Sequence, residues 1–222
     1  MQHRRRWAGS TTVDEPTDEK MTSEVLPLDE DQLRDEIRNH YAEVALAPEA
    51  GYHFHTGRRA AERVGYPKEL LSDLPDEILA PFAGVANPFY FGLPEKGATV
   101  LDVGSGAGVD AIIAARAVGL AGRVVGVDMT PEMLERARHS AKILGLENVE
   151  FRQGQIERLP VDEESFDLVI SNGVLNLMVD KHGAYEQVAR ALKPGGYFQI
   201  ADICVDKPVS DSAKQRIDLW TG

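Results

Sequence analysis

The residues best suited to chemistry stand in "TVLDVGSGAGVD", positions 99–110. Asp102 precedes three glycines at alternate positions, Gly104, Gly106 and Gly108, with Ser105 between the first two. Glycines placed directly after a buried strand let a ligand approach the backbone more closely than side chains permit. A strand, a glycine-rich turn and a helix start together form an anion-friendly crevice, in which free amides and the positive helix end point at the ligand. Dinucleotides use the spacing G-x-G-x-x-G there, and the place of its third glycine is held here by Val109. A carboxylate at Asp102 opposes a pyrophosphate, but it can orient a turn that receives an ammonium-bearing amino acid. The pattern favours a nucleoside carrying an amino acid over a dinucleotide, and so disfavours a nicotinamide oxidoreductase.

Further polar residues fall where such a ligand would need them. Asp128 ends the second strand of the pattern, where a carboxylate can accept both hydroxyls of a ribose. Met129 beside it can pack on an adenine face, and Gln155 past the third strand can bond the adenine's amino edge. Each has a bland alternative, because acids at strand ends often cap helices and glycine turns often merely connect. Asn172 stands at the carboxyl edge of the fourth strand, where ligands sit in open α/β sheets. "YHFHTGR" gathers Tyr52, His53, His55 and Arg58. His53, His55 and Asn172 are the candidates for substrate contact or base; the plain alternative for the histidines is a loop that caps the next helix. His-x-His with His40 as a third ligand could hold a metal, but two ligands specify little, and no metal is expected. Asn87 and Asn176 are lesser polar candidates.

The elements that position these residues follow from hydrophobic period. Strands are expected at 99–104, 123–128, 148–153, 166–171 and 197–203, with helices near 107–118, 131–144 and 181–192. Thr130 followed by Pro131 marks a helix start. Apolar strands alternating with helices imply an α/β fold, a Rossmann-like doubly wound parallel sheet with right-handed crossovers. Upstream, Leu33, Ile37, Tyr41 and Val44 recur at helical spacing after a capping Asp29 or Asp31, and short helices follow near 58–64 and in "SDLPDEIL". The expected organisation is a disordered tail over 1–28, a helical lid or substrate segment over 29–96, and a cofactor domain over 97–222.

Composition narrows the partners. With 43% hydrophobic residues the chain can bury a core, and 24 basic against 36 acidic residues give a net charge of −12. An acidic surface repels phosphate backbones, so a small-molecule substrate is expected and nucleic acid is not. One cysteine, Cys204, excludes an internal disulfide, suits a reducing cytoplasm, and reads as a buried small residue of the fifth strand. No apolar run reaches membrane-spanning length, and the Arg4–Arg6 terminus carries no apolar stretch behind it, so neither membrane nor secretion is expected.

"VLDVGSGAG", "VVGVDMTPEMLERAR", "NVEFRQGQIERLP", "SFDLVISNGVLNL" and "ALKPGGYFQIADI" resemble, in order and spacing, the class I S-adenosylmethionine-dependent methyltransferases. The wording "GVDMTPEMLERAR", "ISNGVLNL" and "ANP" at 86–88 is most similar to the arsenite methyltransferase branch. The resemblance implies S-adenosyl-L-methionine as cofactor, with Asp102, Gly104, Ser105, Gly106 and Gly108 at the methionine end and Asp128 at the ribose. It implies Met129, Gln155 and Ile156 at the adenine, and Asn172 beneath the sulfonium. That branch captures arsenic with thiolates, where this chain has Val85 and Gly173, and a further thiol follows the fifth strand's helix. The expected function is methyl transfer to a small-molecule acceptor; arsenite methylation and a non-catalytic cofactor-binding partner protein are the alternatives. The family's sheet continues into an antiparallel hairpin that this sequence does not reach, so an open fifth-strand edge and homo-oligomers formed through it are expected.

Overall fold

A computed structural model of the chain describes residues 30–52 and 54–208. The expected tail over 1–28, the capping Asp29, the candidate His53 and the stretch "SAKQRIDLWTG" lie outside the described residues. Five strands form one parallel sheet: β1 (Thr99–Val103), β2 (Arg123–Asp128), β3 (Val149–Gln153), β4 (Phe166–Asn172) and β5 (Leu192–Ala201). Their spatial order is β3-β2-β1-β4-β5. The chain winds outward from β1 through β3, then returns to lay β4 against the other side of β1. The order reverses between β1 and β4, and a crevice opens there at the strands' carboxyl ends.

Alternation along the strands builds two cores. Val100, Val124, Leu168 and Ile170 face one side, where α5 (Val109–Val118) and α6 (Pro131–Ile143) cover them. Leu101, Val103, Val125, Val127 and Val169 face the other, beneath α7 (Lys181–Ala191). The amino-terminal segment supplies α1 (Glu30–Leu46), α2 (Gly57–Arg63), α3 (Lys68–Leu71) and α4 (Asp76–Leu79). It joins both cores: Leu33 and Ile37 of α1 pack in the second, while Ala61, Leu71, Leu74, Leu79 and Phe82 belong to the first. Arg58 fixes the short helices to one another, donating to the carbonyls of Leu71 (2.9 Å) and Leu74 (2.5 Å) and to Asp76 (2.5 Å). That guanidinium is a strut and makes no part of a polar substrate cluster.

Some expected boundaries move. The helix near 107 starts at Val109, because Gly108 at φ +87° caps it in a left-handed conformation. The fifth strand starts at Leu192, five residues early, and ends at Ala201. Its pairing skips from Phe166–Leu192 to Leu168–Tyr197, so Lys193–Gly196 bulge out of the ladder with Gly195 at φ +82°. Cys204 therefore lies past the strand and is exposed, contrary to a buried strand residue. Asp31 falls inside α1, and Thr130 makes no side-chain cap to α6. Helix α3 and a 3-10 turn at Leu175–Leu177 carry too few residues to leave a periodic signature.

A Cβ at Gly108 would stand 2.8 Å from the Phe151 ring and 2.9 Å from Ala137. Gly108→Ala is expected to cost about 2–4 kcal/mol, from left-handed strain plus overpacking. Gly145 at φ +64° has open space around it, so Gly145→Ala should cost only about 1–2 kcal/mol of strain. Urea unfolding of both variants checks this, and equal losses would remove the contact with Phe151 and Ala137 as the cause.

Candidate functional site

The crevice at the β1–β4 switch is the cavity formed by the glycine turn, the ends of β2 and β4, α1 and residues 81–84. Of the residues expected there, Gly104, Ser105, Gly106, Asp128, Met129, Gln155, Ile156 and Asn172 line it. Asp102 and Gly108 do not, and His55 is exposed at the surface with its Nε2 2.7 Å from Arg63. Tyr52 donates to the carbonyl of Ala47.

The three glycines have three different reasons to be glycine, although all have positive φ (+71°, +50° and +87°). A Cβ at Gly104 would strike the Val174 side chain, and one at Gly108 would strike Phe151 and Ala137. Only the Cβ direction of Gly106 is open. The turn's amides are not free either. Gly104 and Ser105 donate to the carbonyl of Val127 (2.8 and 3.0 Å), Gly108 to that of Ser105, and Gly106 to Asp128 Oδ2 (2.8 Å). Four amides committed inside the protein leave a poor anion hole, which is the physical objection to a pyrophosphate here.

Asp128 is the staple of the turn. Its Oδ2 accepts from Gly106 while its Oδ1 accepts from the Thr130 amide at 2.8 Å, joining the cofactor-type turn to the start of α6. Burial raises its pKa, and the donors of Thr130, Gly106 and Met129 oppose that rise. Asp102 shares a strand face with Val100, beneath α5, where the Ala111 amide donates to it and its Oδ2 lacks a partner. Burial, then the fields of Asp110 and Asp128, push Asp102 well above the usual carboxylate range.

Asn172 ties the amino-terminal segment to the switch point. Its Oδ1 accepts from the amides of Val85 (2.9 Å) and Ala86 (3.3 Å). Its Nδ2 contacts the Ala86 carbonyl (2.8 Å), the Tyr66 hydroxyl (2.9 Å) and Asp110 Oδ2 (3.1 Å). A Cβ at Gly84 would collide with this amide. Tyr66 in turn donates to Asp110 Oδ1 at 2.5 Å. Burial pushes Asp110 up to about 6, against the lowering effect of the Tyr66 and Asn172 donors. Nearby, a Cβ on Gly173 would meet Val85 at 3.1 Å, so positions 85 and 173 face one another.

Asp110, Tyr66 and Tyr41 carry no motif signal and were not expected here. Asp110 could have been noticed as an acid in the otherwise apolar first half of "VDAIIAARAV". Tyr41 lines the cavity from α1, its pKa pushed up to about 12 by burial and then by the fields of Asp128 and Asp202. Among the described residues, Arg34 is the cationic residue on the lining, paired with Asp31 (2.6 Å) and Glu157 (3.3 Å). Buried acids, the partnerless Asp102 Oδ2 and Ser105 Oγ, and open space at Gly106 suit a ligand that brings positive charge and hydrogen-bond donors.

Residues 94–220 match the family model described as a methyltransferase domain. The chain belongs to the class I S-adenosylmethionine-dependent methyltransferases. Within them it falls in the arsenite methyltransferase-like branch. It is 36% identical to an arsenite methyltransferase of Halobacterium salinarum over 96% of this chain and 58% of that protein. It is 34% identical to one of Aquipseudomonas alcaligenes over 85% of this chain and 56% of that protein. The crystal structure of an arsenic(III) S-adenosylmethionine methyltransferase from Chlamydomonas reinhardtii matches with a TM-score of 0.59 and 39% identity. That match covers 66% of this chain and 51% of that one. The chain thus spans about half the length of the curated relatives it matches.

The raised pKa of Asp110 fixes a sign for stability. Below about pH 4 the group is protonated whether folded or unfolded, and its burial carries no charge. Between pH 4 and 6 the unfolded chain loses this proton first, so the folded state loses stability as pH rises, by on the order of 2 kcal/mol. The difference in unfolding free energy between Asp110→Asn and wild type should therefore shift in the variant's favour over this range and level off above it. Urea midpoints taken from pH 4 to 8 test this, and a pH-independent difference would contradict it.

Proposed function

We propose that the chain binds S-adenosylmethionine in the β1–β4 crevice and transfers its methyl group to a small-molecule acceptor. The observation that carries this is the glycine turn, anchored by Asp128 beside buried acids that have no buried cation among the described residues. When bound, the cofactor supplies an activated methyl group with its leaving group already attached, so alignment and water exclusion fall to the protein. Asp128 would hold the ribose hydroxyls, and Met129, Gln155 and Ile156 would flank the adenine. Gly104, Ser105 and Gly106 would receive the methionine arm, with Asn172 beneath the sulfonium. Asp102 and Gly108 would act through the turn, Asp102 by accepting the Ala111 amide of α5 and Gly108 by allowing α5 to pack.

Arsenite as acceptor is the second reading, favoured by the names of the relatives. A soft metalloid calls for thiolates. Two positions that carry thiols in that branch are here Val85 and Gly173, packed on each other, and Cys204 is exposed and off the cavity lining. A harder acceptor fits these residues better. No helix among the described residues is long and apolar enough to cross a membrane. A cytoplasmic location, no nucleic-acid partner on an acidic surface, and pairing of two copies through the β5 edge complete the proposal.

Asp128→Ala should weaken S-adenosylmethionine binding at least tenfold in titration calorimetry while the folded baseline in circular dichroism persists. Unchanged affinity would sink the assignment of the ribose to this carboxylate.

A further inference from the structure

Outside the glycine turn the crevice lining includes the apolar Leu33, Ile37, Phe82, Val174, Leu177 and Met178, beside the polar Glu30, Arg34, Tyr41 and Glu157. A ligand entering it exchanges water for hydrocarbon, which selects a largely apolar molecule. No thiol or lysine amine faces it among the described residues. Methylating an apolar molecule at oxygen or carbon requires that a proton be removed, because only the deprotonated atom is a competent nucleophile at neutral pH.

Four carboxylates line the cavity. Glu157 is engaged by Arg34, Glu30 stands exposed at the start of α1, and Asp128, which accepts the Gly106 and Thr130 amides, is the residue assigned above to the ribose. Asp110 is the one that is both buried, at 7% exposure, and bonded to Asn172 at the carboxyl end of β4. Tyr66 and Asn172 each donate to a different oxygen of it, which orients the carboxylate and leaves a lone pair on each. Resting on the methyltransferase reading, we propose that Asp110 is the general base for an apolar acceptor with a weakly acidic hydroxyl of the phenol or enol class.

The acceptor's O–H bond breaks and its proton passes to the Asp110 carboxylate. The released oxygen electron pair forms the new bond to the methyl carbon. The carbon–sulfur bonding pair stays on sulfur, which leaves as a neutral thioether. The groups facing Asp110 are Tyr66 from the segment after α2, Asn172 from β4 and Asp102 from β1, with Asp128 beyond Asp102. Asp110 ionises near pH 6, so it is charged at neutral pH yet basic enough to accept. Tyr66, pushed well above its ordinary value by burial and by Asp110, keeps its proton and stays a donor.

The test uses the 222-residue chain, S-adenosylmethionine, and two aromatic acceptors: phenols of ordinary acidity, and nitrophenols already ionised at the assay pH. At saturating S-adenosylmethionine, Asp110→Asn should lower kcat on ordinary phenols by about 100-fold or more and on nitrophenolates by less than about fivefold, while titration calorimetry reads separately any cofactor affinity lost with the charge. Tyr66→Phe, which removes a donor from Asp110, should shift the acidic limb of the kcat/KM–pH profile for ordinary phenols upward. Equal losses on both acceptors would show Asp110 to be structural and overturn the proposal. Turnover confined to thiols or arsenite, or cofactor binding without turnover on any acceptor, would overturn the acceptor class while cofactor binding stands. Failure of wild type to bind the cofactor would instead overturn the reading beneath it.

Discussion

Three carboxylates, Asp102, Asp110 and Asp128, are gathered at the ends of β1 and β2 and the start of α5, and no buried cation accompanies them among the described residues. Burying charge without a counter-charge is costly enough that neighbouring dipoles must be recruited or protons retained. The surrounding structure answers that demand. Amides of Gly106 and Thr130 turn onto Asp128, the amide of Ala111 onto Asp102, and the side chains of Tyr66 and Asn172 onto Asp110. The glycine turn, the first turn of α5 and the crossing of residues 84–86 over β4 are shaped by these bonds. A net negative field remains in the crevice, suited to a cofactor that arrives as a cation.

The strands and main helices were legible because burial on both faces writes itself as continuous apolar runs such as "VVGV" and "DLVIS". Asp128, Met129 and Gln155 were legible because a strand's end fixes where its next residues sit. The roles of individual glycines were not. Their spacing signals a close approach, but only the packed structure shows that Gly104 clears Val174, Gly108 clears Phe151, and Gly106 alone faces open space. Tyr66 and Asn172 meet across 106 residues of chain, a separation that no local pattern encodes. His55 looked chemical by composition and sits at the surface against Arg63.

The amino-terminal segment reads in sequence as an appended lid, yet its side chains complete both cores. Ala61, Leu71, Leu74, Leu79 and Phe82 share one packed cluster with α5 and the sheet. Motions that admit ligand therefore cannot peel the whole segment away without opening the core. Helix α1 belongs to other clusters: it reaches the cavity through Leu33, Ile37 and Tyr41, packs Val44 and Ala45 with Met133, and bonds Arg34 across to Glu157. The second half of the crevice is formed between a fixed wall of Phe82 and Val174 and this α1 wall.

The bond from Arg34 to Glu157 joins α1 to the turn after β3, and both side chains are partly exposed, at 25% and 27%. Dissolved ions screen such a pair within a Debye length of about 8 Å at physiological ionic strength, while the apolar grip of Leu33 and Ile37 is indifferent to that screening. Helix α1 thus has two fasteners of opposite temperament. Salt loosens one and leaves the other: raising ionic strength weakens the Arg34–Glu157 tie, while Leu33 and Ile37 keep α1 packed.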